Sequence, residues 1–175
     1  QLYPVQYIPK ERKLYWYDNI SILIKARKGN VDELYRGLPQ DIEEVKDIVA
    51  NPSMIYEYPI ASSLAEPLAT YSYVIITDSS LESAFQSLVD YKSHFISATI
   101  VNLTYIQANF AGADLQEKIR NFIKWAYLNW NTEYVLLGGD DEIIPHRGFW
   151  CSVYATDGWV TDSDIPSDLY YAALD

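Results

Sequence analysis

The chain holds 175 residues, 24 of them acidic against 13 basic, for a net charge of −11. With 49% hydrophobic and 15% aromatic residues it is not a disordered polar chain, and its acid excess disfavours general binding to phosphate backbones. No run approaches the ~20 apolar residues of a membrane span, and the single cysteine, Cys151, excludes an internal disulfide.

Residues 14–17 (Leu-Tyr-Trp-Tyr) read as a short aromatic strand and Asp18-Asn19 as a turn. Ile20, Ile22, Ile24 and Ala26 alternate with Ser21, Leu23 and Lys25, the pattern of a half-buried partner strand. A hairpin is expected. A helix is expected from Asp41, because Asp41 and Glu44 have capping-box spacing and Ile42, Val45, Ile48 and Val49 share one face. Asn51-Pro52 ends it. Residues 57–70, with Pro59, Ser62, Ser63 and Pro67, read as a linker. The expected division is a leading hairpin-and-helix segment at 1–60 and a second unit at 68–175.

The second unit alternates strand and helix. Residues 71–77 (YSYVIIT) form a near-continuous apolar run, as in a strand covered on both faces. Ser79 and Glu82 are spaced as a capping box before Leu81, Ala84, Phe85, Leu88 and Val89, an amphipathic helical stripe. A strand is expected at 98–103. Asp114 and Glu117 cap the next helix, whose core face is Leu115, Ile119, Phe122, Ile123, Ala126 and Trp130. A third strand at 133–137 stops at Gly138-Gly139. Strand–helix–strand–helix–strand over this length implies parallel strands with helical crossovers, an α/β fold of three-layer α/β/α type. Residues 149–154 read as a strand. Asp157, Asp162, Asp164, Asp168 and Asp175, set among Gly158, Pro166, Ser and Thr, read as an acidic loop. A last element begins near Ser167-Asp168 and is cut off at Asp175, so the domain is expected to continue.

Three groups of residues could carry chemistry. In an open parallel sheet ligands sit outside the carboxyl ends of the strands. Asp78 and the Gly138-Gly139-Asp140-Asp141-Glu142 string fall there, and converging carboxylates could hold a hard cation or do acid–base work. The string departs from the GGDEF signature, since Asp141 takes its Glu place and Glu142 its Phe place. A phosphoacceptor site needs paired acids after the first strand, whereas Asp78 stands alone. Second, Cys151 and His146 are five residues apart, close enough for contact, and a thiol nucleophile needs such a base. His94 follows a helix, where a histidine suits the helix dipole. Third, the acidic loop is the best metal candidate: Asp157, Asp162, Asp164 and Asp168 offer the oxygen ligands calcium prefers, though the EF-hand glycine and terminal glutamate are missing.

Several segments in order carry a family resemblance. They are Tyr73-Val74-Ile75-Ile76-Thr77, Leu88-Val89-Asp90-Tyr91-Lys92, Gln116 to Ile123, Tyr134-Val135-Leu136-Leu137-Gly138-Gly139-Asp140, Ile144-Pro145-His146-Arg147, and Ser167 to Asp175. Over about residues 68–175 the chain resembles the gingipain-like cysteine peptidases. Upstream, Tyr3-Pro4-Val5-Gln6-Tyr7 and Tyr35-Arg36-Gly37-Leu38-Pro39 look like the propeptide-side region that precedes such domains. The resemblance implies a caspase-like α/β fold of two subdomains, with a catalytic His in Gly-His-Gly and a later Cys, both in the second. This chain contains no Gly-His-Gly, and neither His146 nor Cys151 matches a catalytic position. The chain is therefore expected to be the first, non-catalytic subdomain with its leading segment, without catalytic residues of its own. Its implied partners are the missing catalytic subdomain and the peptide or protein substrates of the whole enzyme, with no nucleic acid and no membrane span. Its implied location is secreted or at the cell surface, with calcium as the implied cofactor. The alternative reading is a non-catalytic binding or inhibitory module built on the acidic loop.

Overall fold

Val74, Ile75, Ile76 and Thr77 are fully buried. Successive strand residues point to opposite faces, so a strand buried at every position must be covered on both. The computed structural model describes residues 4–23, 25, 34–57, 60 and 70–174. In chain order these form β1 (Val5–Ile8), β2 (Lys13–Trp16), α1 (Pro39–Ile48), a 3-10 helix (Pro52–Glu57), β3 (Tyr73–Thr77), α2 (Glu82–Lys92), β4 (Ala98–Asn102), α3 (Leu103–Asn109), α4 (Leu115–Trp130), β5 (Tyr134–Gly138), β6 (Phe149–Ala155), β7 (Gly158–Ile165) and α5 (Leu169–Ala172). The chain divides into two compact units, Gln1–Val31 and Asp32–Asp175.

In the larger unit β3 is the middle strand of a sheet ordered β4-β3-β5. Both pairings are parallel, with Tyr73 opposite Ala98 on one side and Tyr134 on the other. Val74 and Ile76 pack with Leu103 and Ile106 of α3 and with Ile119, Phe122, Ile123 and Ala126 of α4. The other face meets α2: a Cβ on Gly138 would come within 2.8 Å of the Phe85 ring, which explains the glycine there. The expected α/β architecture is thus present, with helices flanking a parallel sheet. Phe110, Phe122, Trp125 and Trp130 close the α4 side, their ring centroids 5.0 to 6.4 Å apart.

Helix ends follow the expected pattern in part. Asp114 Oδ1 accepts the Glu117 N–H at 2.9 Å and Glu117 Oε2 accepts the Ala113 N–H at 2.6 Å, so α4 is capped as its spacing predicts. The Ser79–Glu82 box does not form. Glu82 instead accepts from Asn102 Nδ2 at 2.8 Å, and Asp78 Oδ1 accepts the Ser80 N–H at 2.9 Å. The strand expected to reach 103 stops at Asn102, whose side chain accepts the Tyr105 N–H at 2.8 Å and starts α3.

In the leading unit the expected hairpin forms and the aromatic strand at 14–17 appears as β2, but its partner is β1 rather than residues 20–26. β1 pairs antiparallel with β2, Val5 opposite Trp16 and Ile8 opposite Lys13, across a turn in which Arg12 has φ 52°. Residues 18–23 and 25 form no strand; Ile24 and Ala26 lie outside the described residues, as does most of the 57–70 linker. The acidic loop is corrected as well. Most of it is β7, paired antiparallel with β6 from Ala155 opposite Gly158 to Phe149 opposite Ile165. The overlooked signal is Asp157-Gly158, a hairpin-turn dipeptide, with Gly158 at φ 123°.

Arg36 and Asp41 bind the segment before β3 to the end of α4. Arg36 Nη2 and Nε donate to the two Asp41 carboxylate oxygens at 2.6 and 3.1 Å. Nη1 donates to the carbonyls of Tyr127 and Thr132, both at 3.3 Å, and the guanidinium lies 3.8 Å from the Tyr127 ring centroid. Asp41 is therefore committed to Arg36 rather than to a box with Glu44. It sits at the third helical position and only its 3.4 Å contact with the Leu38 N–H serves the cap. The side chains are 4% and 9% exposed. Removing one partner of such a pair strands the other charge. Arg36→Ala is therefore expected to cost about 3–5 kcal/mol in urea unfolding, with little recovery in Arg36→Lys, whose ammonium lacks the planar fork. A loss below about 1 kcal/mol, typical of an exposed pair, would contradict this.

Candidate functional site

The carboxyl ends of β3 and β5 lie side by side, since Thr77 pairs with Gly138 and its hydroxyl donates to the Gly138 carbonyl. Asp78 leaves this edge with its carboxyl held below the ordinary range, chiefly by the Ser80 N–H. Beyond Gly139 the chain turns: the Asp140 carbonyl accepts the N–H groups of Ile143 and Ile144 at 3.0 and 2.8 Å, and its Oδ1 accepts that of Glu142 at 3.2 Å. Asp140 thus organises the turn rather than pointing a free carboxylate at Asp78.

Asp141 holds His146. Its Oδ1 accepts the His146 N–H at 2.8 Å and also meets ring Nδ1, while Nε2 lies 3.3 Å from Asp164 Oδ1 on β7. One imidazole thus joins the loop after β5 to the β6–β7 hairpin. Gly148 completes the fit, because a Cβ there would collide with the Asp164 carboxylate. The Asp141 contact is the main cause that raises the His146 pKa above 6.5, with Asp164 adding to it; the His146 N–H is the main cause that lowers Asp141.

The neighbouring Arg147 escaped the sequence reading as a site residue. Its Nη2 lies 2.9 Å from both oxygens of Asp114, and its guanidinium is 4.7 Å from the Tyr170 ring centroid. Asp114 is held below the ordinary carboxylate range, first by the Glu117 N–H and then by Arg147. From α4, Arg120 lies 5.1 Å from the same Tyr170 ring on α5 and donates to the Ala173 carbonyl at 2.6 Å. Tyr171 is buried, donates to the Pro145 carbonyl, and has its hydroxyl pushed up to about 12 by desolvation.

Cys151 does not meet His146. It sits on β6 opposite Asp162, partly exposed, while both His146 ring nitrogens face carboxylates. His94 follows α2, with Nδ1 2.7 Å from the Asp90 carbonyl, in keeping with the helix-end placement. The four calcium candidates are strung along the hairpin. Asp157 is in its turn, Asp162 and Asp164 are on β7, and Asp168 precedes α5. Asp157 and Asp164 are separated by about 23 Å of extended chain. Asp162 Oδ1 accepts the Asp164 N–H at 2.9 Å. Among the described residues no group of three or more His, Cys, Asp and Glu is placed to hold a metal ion. The four do not fit one calcium cage.

A groove of about 590 Å³ runs beside β5, lined by Ile123, Tyr127, Val135, Leu137, Tyr171 and Leu174, with Glu133 and Asp168 also at its wall. Its lining is mainly apolar, and among the described residues β5 has no strand on its outer side.

The family model for peptidase family C25 matches residues 66–175, more than half of the chain. No curated protein and no solved structure matches it.

A histidine whose pKa rises on folding contributes stability that is full below its unfolded value and lost as pH climbs through the folded one. A carboxylate with a lowered pKa contributes above its unfolded value. From the ordinary values of 6.5 and 3.8, the His146–Asp141 pair contributes fully from about pH 4 to 6.5. The melting temperature of wild type is expected to exceed that of His146→Gln most in this window, the gap closing above it. A gap that widens with pH would contradict the assignment. Millimolar calcium is expected to leave the melting temperature unchanged; a rise of several degrees would mean that these carboxylates gather round the ion.

Proposed function

The chain belongs to peptidase family C25 through residues 66–175, and from that premise we propose that it is the non-catalytic first part of a gingipain-like cysteine endopeptidase. In this reading it is secreted or displayed at the cell surface and acts as a scaffold for a catalytic subdomain outside this chain. The observation that carries it is the separation of the chain's only cysteine from a usable base. Thiol activation needs an imidazole nitrogen within hydrogen-bond reach, yet His146 spends both on Asp141 and Asp164. Cys151 lies on β6 opposite Asp162, its thiol free and away from that imidazole.

That β5 has no strand on its outer side among the described residues supports the scaffold role. A parallel sheet is normally covered and extended rather than left with a bare apolar margin, and the groove beside β5 presents Val135, Leu136 and Leu137 to an incoming element. The catalytic subdomain would dock there, the peptide or protein substrate being held by that subdomain.

Two measurements test this. The chain by itself is expected to cleave no peptide reporter; hydrolysis that disappears in Cys151→Ser would overturn the reading. In the complete enzyme, Cys151→Ser is expected to leave kcat/KM unchanged. There, Leu136→Asp is expected to lower it by about tenfold, the effect of losing one buried anchor, with helix content retained by circular dichroism.

A further inference from the structure

The leading unit has a surface that the peptidase reading does not use. Every described residue from Pro4 to Leu23 is exposed. The register of β1 and β2 places Val5 opposite Trp16 and Tyr7 opposite Leu14. By the two-residue strand period these four share one face. Tyr7 is 58% exposed, and Leu14 and Trp16 are each 67% exposed. Ile20, Ile22 and Leu23 follow, also exposed. Among the described residues of this unit nothing covers that face, and a two-stranded hairpin left so is marginal in water, so the face calls for a partner.

Charge narrows the partner. Residues 1–31 carry six Lys and Arg against two acids, net +4, whereas the other 144 carry seven against 22, net −15. Lys10 and Arg12 stand in the hairpin turn, with Arg12 at φ 52°, and Lys13 opens β2. Trp and Tyr with flanking Lys and Arg are the side chains that settle at a bilayer interface. The aliphatic members favour acyl chains over nucleic-acid bases, on which Leu and Ile cannot stack. Among the described residues no helix is long and apolar enough to cross a membrane, and attachment at a surface requires none.

We propose that the β1–β2 hairpin is an interfacial anchor for anionic lipid bilayers, seating Leu14 and Trp16 among the headgroups with Lys10 and Arg12 of the turn against the lipid charges. The test is co-sedimentation of the full chain with vesicles of phosphatidylcholine alone or with roughly one third phosphatidylglycerol, beside an oligonucleotide gel shift. Binding to the anionic vesicles, weakened by salt, is expected. Lys10→Gln with Arg12→Gln should weaken it by about 25-fold, about fivefold per cation. Leu14→Ser with Trp16→Ser should abolish the blue shift of tryptophan emission on vesicle addition. All variants should keep the wild-type melting temperature of the larger unit. Equal binding to both vesicle types, insensitivity to either pair of substitutions, or binding to the oligonucleotide without binding to vesicles would overturn the proposal.

Discussion

β3 offers no side chain to water from Val74 through Thr77, and each of its faces therefore requires a helix. That requirement places α2 on one side and α3 with α4 on the other, and it fixes the direction of β4 and β5, since strands joined by helices over the faces run parallel. The carboxyl edge follows from the same constraint. Thr77 and Gly138 end side by side, and the turns bearing Asp78, Asp140 and Asp141 leave the sheet together. The Arg36–Asp41 pair then adds the preceding segment by using carbonyls at the end of α4, where the helix dipole favours a cation.

The acids at this edge are employed in construction. Asp78 and Asp140 shape turns, Asp141 and Asp164 hold His146, and Asp114 caps α4 while holding Arg147. A group engaged in this way is poorly suited to proton transfer with a substrate, because its lone pairs or protons already have partners. The same economy explains why a peptidase-family chain can be dense in Asp, Glu and Tyr and still lack a pairing of thiol with base.

Much of this was legible in the chain. The unbroken apolar run at 73–77 and the stripe from Leu115 to Trp130 identified the central strand and the main helix, because their periods reflect burial directly. The Asp114 and Glu117 cap was readable because its partners are local. What escaped depends on long-range partners or on competition. Glu82 was drawn from the helix cap by Asn102, twenty residues away. β7 was hidden by its aspartates, which suggest a loop until the pairing with β6 supplies the backbone hydrogen bonds. In the leading unit the alternation at 20–26 suggested a strand, but β2 pairs with β1, whose shorter pattern at 5–8 was the weaker signal. Arg36 and Arg147 carry no periodicity, so their partners emerge only in three dimensions.

Asp114 serves two masters: the first turn of α4 through the Glu117 N–H, and Arg147 through both of its oxygens. Arg147 in turn lies against Tyr170, the neighbour of the buried Tyr171. Release of α5 and fraying of the α4 start are thereby linked through one carboxylate. In the language of local unfolding they are expected to open as a single cooperative unit, whose amides would exchange with solvent together although 53 residues of sequence lie between Leu115 and Leu169. Slow opening of that unit would present the β5 groove and bare the α4 terminus in the same event.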